Sequence, residues 1–284
     1  QSLELAMEIQ QNLLPKDNPK VKGLDIAGKS VYCDETGGDY YDFLKLKESE
    51  SGKIGVILGD ISGHGIPSAL LMATARAFIR QRSFLPGSLT EIITDINVLL
   101  CPDAMESNSF MTLFYAVIDT NTKSVKWVRA GHDPAIIYDP KSDIFEELRG
   151  PGLALGLKAA VAYSAMGKSG LQPGQIIALG TDGIWEARNT SGEMFGKRRL
   201  KRLLRQNAEA ETALLVNQLF QHLQDFTRGT LPEDDRTELL KRISSENPKL
   251  LAAAREDEEE TELLMKNSVN EAVAAALAVP SRLT

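Results

Sequence analysis

The feature that most constrains this chain is how its strand-like runs are grouped. Between residues 24 and 180, β-branched and aromatic residues come in short runs bounded by turn residues, and helix-patterned stretches interrupt them in pairs rather than after every strand. Strands are expected over 24–32, 39–47 and 53–59, separated by Gly37-Gly38 and Ser51-Gly52. Pro67 then opens SALLMATARAFIR, which has helical periodicity, and 88–100 repeats the pattern after Pro86-Gly87. Strand texture returns in FMTLFYAVID, KSVKWVRAG, PAIIYDP and IFEELRG, then near 160–167 and 175–180, before helical spacing resumes over 196–226. Blocks of strands broken by helical hairpins predict an α+β fold with antiparallel sheets, not a doubly wound parallel one.

The two ends read differently. Leu5, Ala6, Ile9 and Leu13 lie at helical spacing and Pro15 stops the pattern, so residues 1–15 are expected to be an amphipathic linker or regulatory helix. Residues 238–284 are alanine-rich with an acidic run at 256–260, which predicts a helical tail outside a domain spanning 16–237; the alternative is that 238–243 pair as a strand and only the remainder is helix.

With 32 basic and 39 acidic residues the 284-residue chain carries a net charge of -7, so no overall positive field would draw nucleic acid. Cys33 and Cys101 are too few for a stapled scaffold and lack CxxC spacing, so a reducing, cytoplasmic setting is expected. No apolar run approaches the roughly 20 residues that cross a bilayer, and the start without methionine reads as a piece of something longer.

Chemistry is concentrated in aspartates at strand ends: Gly37-Gly38-Asp39, Gly59-Asp60 followed by Ser62-Gly63-His64-Gly65, Thr181-Asp182-Gly183, and the pair Asp234-Asp235. Asp-Gly is a common turn dipeptide, and any one of these alone is more often a turn than a ligand. Together they are a set of acceptor-only oxygens that repel one another unless a cation lies between them. Hard oxygen ligands select Mg²⁺ or Mn²⁺, and two such ions can activate a water for in-line phosphoryl displacement. His64 and His132 are alternates, each either meeting phosphate or fixing a turn, whereas His222 lies on a helix and is ordinary.

The order GGDYYDF, LGDISGHG, ALGTDG, EDDRT, with EIQQNLLP, RAGHDPAIIY and GTDGIWEARN, resembles the PP2C-type (PPM) serine/threonine phosphatases of the SpoIIE and RsbU class. That resemblance implies a β-sandwich of two antiparallel sheets flanked by helices and a two-metal site at one edge. It implies Asp39, Asp60, Asp182 and Asp234 as metal ligands, Asp60 bridging, with the backbone carbonyl of Ile61 as a further donor. Asp235 is the alternative to Asp234, because an adjacent pair leaves the register open. The implied substrate is a phosphoserine or phosphothreonine protein, an anti-sigma-factor antagonist of the STAS type, with a sensor or second protomer acting through the N-terminal helix. The competing reading is a catalytically silent module of the same fold that recruits a partner. A nucleotide-binding kinase lacks its motifs here.

Overall fold

The structure is a computed structural model that describes residues 2–33, 36–46, 52–230 and 234–243. An N-terminal helix α1 (Ser2–Gln11) leads to strands β1 (Leu24–Val31), β2 (Tyr40–Lys45) and β3 (Lys53–Ile61). Helices α2 (Ile66–Ser83) and α3 (Leu89–Glu106) follow. Then come β4 (Met111–Asp119), β5 (Ser124–Ala130), β6 (Ala135–Asp139), β7 (Ile144–Leu148), β8 (Met166–Ser169) and β9 (Ile176–Gly180). The short α4 (Asp182–Trp185), α5 (Gly196–Gln206), α6 (Thr212–Phe226) and β10 (Arg236–Ile243) complete the described chain.

Ten strands form two antiparallel sheets, ordered β1-β10-β9-β6-β7 and β2-β3-β4-β5-β8. The predicted sandwich is therefore present, and its strands divide their side chains by the two-residue period. Ile54, Val56 and Leu58 of β3 and Phe114, Ala116 and Ile118 of β4 enter the core between the sheets. Ile57, Ile61, Leu113 and Tyr115 face the opposite way, into a second core under α2 and α3. A third core lies outside the other sheet, where Ile176, Ala178 and Leu240 meet Leu200, Leu203, Leu219 and Leu223 of α5 and α6. Sheets covered on both faces are apolar on both faces, which is why these strands read as continuous hydrophobic runs.

Local chemistry sets the helix starts. Pro67 sits in the first turn of α2, and Ser88 and Glu91 form a reciprocal capping box on α3. One helix is also pinned to its sheet by charge. Arg80 of α2 forks onto Asp42 of β2, Nε to Oδ2 at 2.6 Å and Nη2 to Oδ1 at 3.0 Å, and Tyr40 Oη donates to the same carboxylate. The second aspartate of GGDYYDF thus anchors a helix.

Three expectations need correction. The stretch near 160–167 is strand only from Met166, because Gly156, Lys158 and Ala159 are held in a turn against Asn97 of α3. Helical spacing over 196–226 breaks at Asn207, giving two helices. The largest change is at the end of the chain: residues 238–243, expected to begin a helical tail, are strand. They pair with β1 (Leu24 opposite Ile243) and with β9 (Leu239 opposite Leu179), so the core extends past residue 237. Charged Glu238, Lys241 and Arg242 disguised the run, because two of them point into apolar layers where sequence patterning expects hydrophobes. Residues 244–284 lie outside the described part, as does residue 47 of the predicted second strand.

Candidate active site

Three strand ends and one loop converge at one edge of the sandwich. Asp39 precedes β2, Asp60 is the penultimate residue of β3, Asp182 opens α4 directly after β9, and Asp234 and Asp235 precede β10. The fold therefore brings all five predicted carboxylates to one place, although they come from four separate stretches of sequence.

Asp39 is the most enclosed, with 1% of its surface exposed. Its Oδ2 accepts from Thr181 Oγ1 at 2.9 Å and Thr237 Oγ1 at 2.7 Å, while Oδ1 is buried with no hydrogen-bond partner. Burial pushes its carboxyl well above the ordinary carboxylate range, reinforced by the charges of Asp60 and Asp235 and opposed by the two threonines. Burial likewise lifts Asp60 to about 8, and Asp182, Asp234 and Asp235 add to the rise. Asp182 is raised by burial and by Asp133, and its Oδ1 is also buried without a partner. Asp234 stands at the exposed rim, raised by partial burial and by Asp182 and Asp235, against the backbone N–H of Asp235 donating to its Oδ1 at 2.8 Å.

Asp235 is engaged differently. Its carboxylate is buried and accepts the backbone N–H groups of Cys33 (2.9 Å), Gly38 (2.7 Å) and Asp39 (3.3 Å), so its lone pairs hold the loop that carries Asp39. That closeness explains two glycines. A Cβ on Gly37 would sit 1.9 Å from Asp235 Oδ2, and one on Gly183 would sit 1.9 Å from the Asp235 carbonyl oxygen. The Ile61 carbonyl oxygen lies against Gly38, 2.6 Å from where a Cβ would be.

The alternates separate. His64 is exposed on the turn before α2. His132 is buried, with Nδ1 paired to Thr112 Oγ1 at 2.7 Å, and burial lowers its pKa to about 4, so it is neutral at pH 7. It supports β4 from within. His222 is exposed, its ring bonded to the Gln218 carbonyl.

Sequence reading missed the grip of the N-terminal helix on this site. Gln10 is buried; its Nε2 donates to the Gly37 carbonyl at 2.6 Å, and the Gly37 N–H returns a bond to Oε1 at 3.0 Å. The signal was the Gln-Gln of EIQQNLLP, a polar pair just before the helix ends.

Whether these groups suit a cation follows from what they are. Among the described residues no three His, Cys, Asp or Glu side chains are drawn tightly enough to cage an ion as they stand. The donor set is nonetheless all oxygen, Asp60, Asp182, Asp234 and Asp235 each raise a neighbouring carboxyl's pKa, and two buried carboxylate oxygens lack any donor. Divalent cations relieve the repulsion and supply the missing partners, so the residues fit a hard metal.

The sequence model described as Stage II sporulation protein E (SpoIIE) matches residues 50–244. The chain belongs to the SpoIIE family. It is 29% identical over 227 residues to phosphoserine phosphatase RsbU of Bacillus subtilis (strain 168), a match covering 79% of this chain and 66% of RsbU. It spans less than two thirds of the length of the curated relatives it matches. Its fold is that of the SiaA-PP2C domain of Pseudomonas aeruginosa, with a TM-score of 0.73 at 23% identity over 86% of this chain and 96% of that one. The PP2C phosphatase domain of SpoIIE from Bacillus subtilis, solved with a fragment of its regulatory domain, has a TM-score of 0.65 at 20% identity over 79% and 64% of the two chains. The domain described here thus belongs to the SpoIIE family and has the fold of PP2C phosphatase domains. Among the described residues, no helix is long and apolar enough to cross a membrane.

Proposed function

We propose that this chain hydrolyses phosphoserine or phosphothreonine on a folded partner protein with two divalent cations, Mn²⁺ or Mg²⁺, held by Asp39, Asp60, Asp182 and Asp234 and by the Ile61 carbonyl. The observation that carries this reading is Asp60, whose carboxyl burial and three neighbouring carboxylates hold near pH 8 unless positive charge enters. When bound, the cations supply Lewis acidity to the phosphoryl oxygens and activate the attacking water. The rest is done by the chain. Thr181 and Thr237 fix one oxygen of Asp39 and leave the other buried without a donor. Asp235 orients the Asp39 loop through three backbone N–H groups and is therefore a positioning residue. Rigid strand ends set Asp60 and Asp182, which favours the preorganised placement that phosphoryl transfer needs.

The partner class we infer is a STAS-type anti-sigma-factor antagonist, supported by the family resemblance and by relatives named RsbU and RsbP. A cytoplasmic setting accords with such a partner. The N-terminal helix α1 is the segment through which a sensor or second protomer would act, since Leu5 and Ile9 are 57% and 56% exposed while Gln10 holds the site loop.

The test is phosphate release from a phosphoserine protein with and without Mn²⁺, beside calorimetric titration of Mn²⁺. Asp60→Asn is expected to lower turnover by about three orders of magnitude and to weaken metal binding. Full turnover in excess chelator would overturn the metal assignment. Metal binding by a chain that releases no phosphate from serine, threonine or tyrosine esters would favour the silent recruiting module.

A further inference from the structure

Beside Asp182 the surface opens into a cleft of about 650 Å³ whose walls include Arg129, Asp133, Glu147, Arg149 and Lys197. It adjoins the carboxylate cluster through α4, whose first residue is Asp182 and whose last, Trp185, has Lys197 Nζ 4.3 Å over its ring. Three cations face two anions there; Lys197 pairs with Asp133 and Arg149 with Glu147, which leaves Arg129 as the lining cation without a carboxylate partner among the described residues.

The three cations are held in distinct ways. Arg129 hydrogen bonds only to carbonyls among the described residues, Nε to Gly150 at 2.7 Å and Nη1 to His132 at 2.6 Å, which orders the guanidinium without a carboxylate to neutralise it. Arg149 is 79% exposed and touches Glu147 at the mouth. Lys197 bonds Asp133 at 2.6 Å and lies 4.3 Å over the Trp185 ring, so its position is fixed from two sides.

From Lys197 the positive charge continues along α5. That helix carries six basic residues and no acidic one: Lys197, Arg198, Arg199, Lys201, Arg202 and Arg205. Lys201 is one turn beyond Lys197 on the same face and lies 5.6 Å over Phe145 of β7; Arg205, a turn further, bonds Asp143 at 2.6 Å. A cationic track thus leads from the carboxylate cluster along the β6-β7 hairpin. The cleft is lined by charged groups, glycine and proline with Met166 as its one large apolar side chain, and lacks the mostly apolar walls of a small-molecule pocket, which suits an extended polypeptide.

We propose that this track receives acidic polypeptide flanking the phosphorylated residue of the partner and so sets which phosphoserines are accepted. The proposal rests on the phosphatase reading above and adds the source of its specificity. Carboxylates beside the phosphoserine would meet Arg129 and Arg149 in the cleft and Lys201 beyond it, while the phosphate reaches the aspartates. Basic flanks would be repelled.

The test compares two fluorescein-labelled phosphoserine peptides, one flanked by four glutamates and one by four lysines, for turnover with Mn²⁺ and for binding by fluorescence anisotropy. The wild-type chain is expected to prefer the acidic peptide about tenfold at low salt, with the preference shrinking as ionic strength rises. Arg149→Glu with Lys201→Glu should abolish or invert that preference, while Lys16→Glu with Lys158→Glu, an equal charge change at exposed lysines outside the cleft lining, should keep it. Equal handling of the two peptides by wild type, or a preference the double variant retains, overturns the proposal. If no peptide is turned over, anisotropy still decides: flank-dependent binding lost in the double variant upholds the track while the phosphatase reading fails. Tighter binding to phosphatidylserine vesicles than to the acidic peptide, lost in the same variant, would reassign the surface to membranes and overturn it.

Discussion

At the scale of single residues, the charged groups divide into those that suit a cation and those that burden the fold. Glu238 and Lys241 are three apart in β10 and so face opposite layers: Glu238 points toward Gly180 and Trp185, Lys241 into the core between the sheets beside Val56, Phe114 and Leu239. Neither has a hydrogen-bond partner for its charged end among the described residues. Burial alone pushes Glu238 up to about 8 and Lys241 well below its ordinary value. The two therefore tilt stability in opposite directions. For Glu238 the folded state holds the proton more tightly, so stability falls as pH rises from about 4.5 to about 8. For Lys241 the unfolded state holds the proton more tightly, so stability falls as pH drops below about 10.4 toward the lowered folded value. Melting temperatures between pH 6 and 9 should show Glu238→Gln gaining most at the alkaline end and Lys241→Met gaining most at the acidic end. Each change should add a few kcal/mol at most, since replacing a buried unpaired charge by a neutral group of similar size removes a desolvation penalty. Flat differences across that range would show that these groups find solvent or partners.

Elements show best what the sequence disclosed and what it withheld. Density of β-branched and aromatic residues between turns revealed the strands of the sheet β2-β3-β4-β5, because both alternating faces are apolar, Ile54, Val56 and Leu58 toward the other sheet and Ile57 and Ile61 toward the helices. It concealed β10, where the same alternation carries Glu238 and Lys241 at positions that normally hold hydrophobes. Glycine-flanked aspartates announced the site, since the glycines are where backbone and carboxylate come too close for a Cβ. Nothing in a linear pattern distinguishes Asp234 from Asp235, because the difference is which carboxylate meets the N–H groups of Cys33, Gly38 and Asp39, about two hundred residues away. The role of α1 was equally hidden: its apolar stripe drew attention, yet its polar Gln10 makes the contact with the site. Gln10→Ala would leave the buried N–H and C=O of Gly37 unpaired, costing about 1–3 kcal/mol for each group. A lower melting temperature together with reduced turnover at saturating substrate is expected, measured by calorimetry and steady-state phosphate release. Unchanged turnover in a destabilised variant would make α1 a support for the fold and not for the Asp39 loop.

For the whole molecule, the two sheets differ in how they are assembled from the chain. One takes β2, β3, β4 and β5 in order, each antiparallel to the last. The other sets β10 between β1 and β9, so its first strand finds its partner only in its last. A chain stopped after Asp235 should therefore lose more than one strand: β1 would have no neighbour, and Thr237, which holds Asp39, would be gone. Such a chain is expected to show no cooperative melting transition and to collect in aggregates; a sharp transition near that of the longer chain would disprove the dependence. During synthesis the same arrangement imposes a wait. Some two hundred residues separate β1 from β10, and at ribosomal speeds of about 5–20 residues per second the first strand spends roughly 10–40 s without its pairing edge. Through that interval Leu24 and Ile26 have no finished layer to enter, while the other sheet can already close beneath α2 and α3. The nascent chain thus passes through a half-built state with an open β edge, in which chaperone capture competes with misassembly.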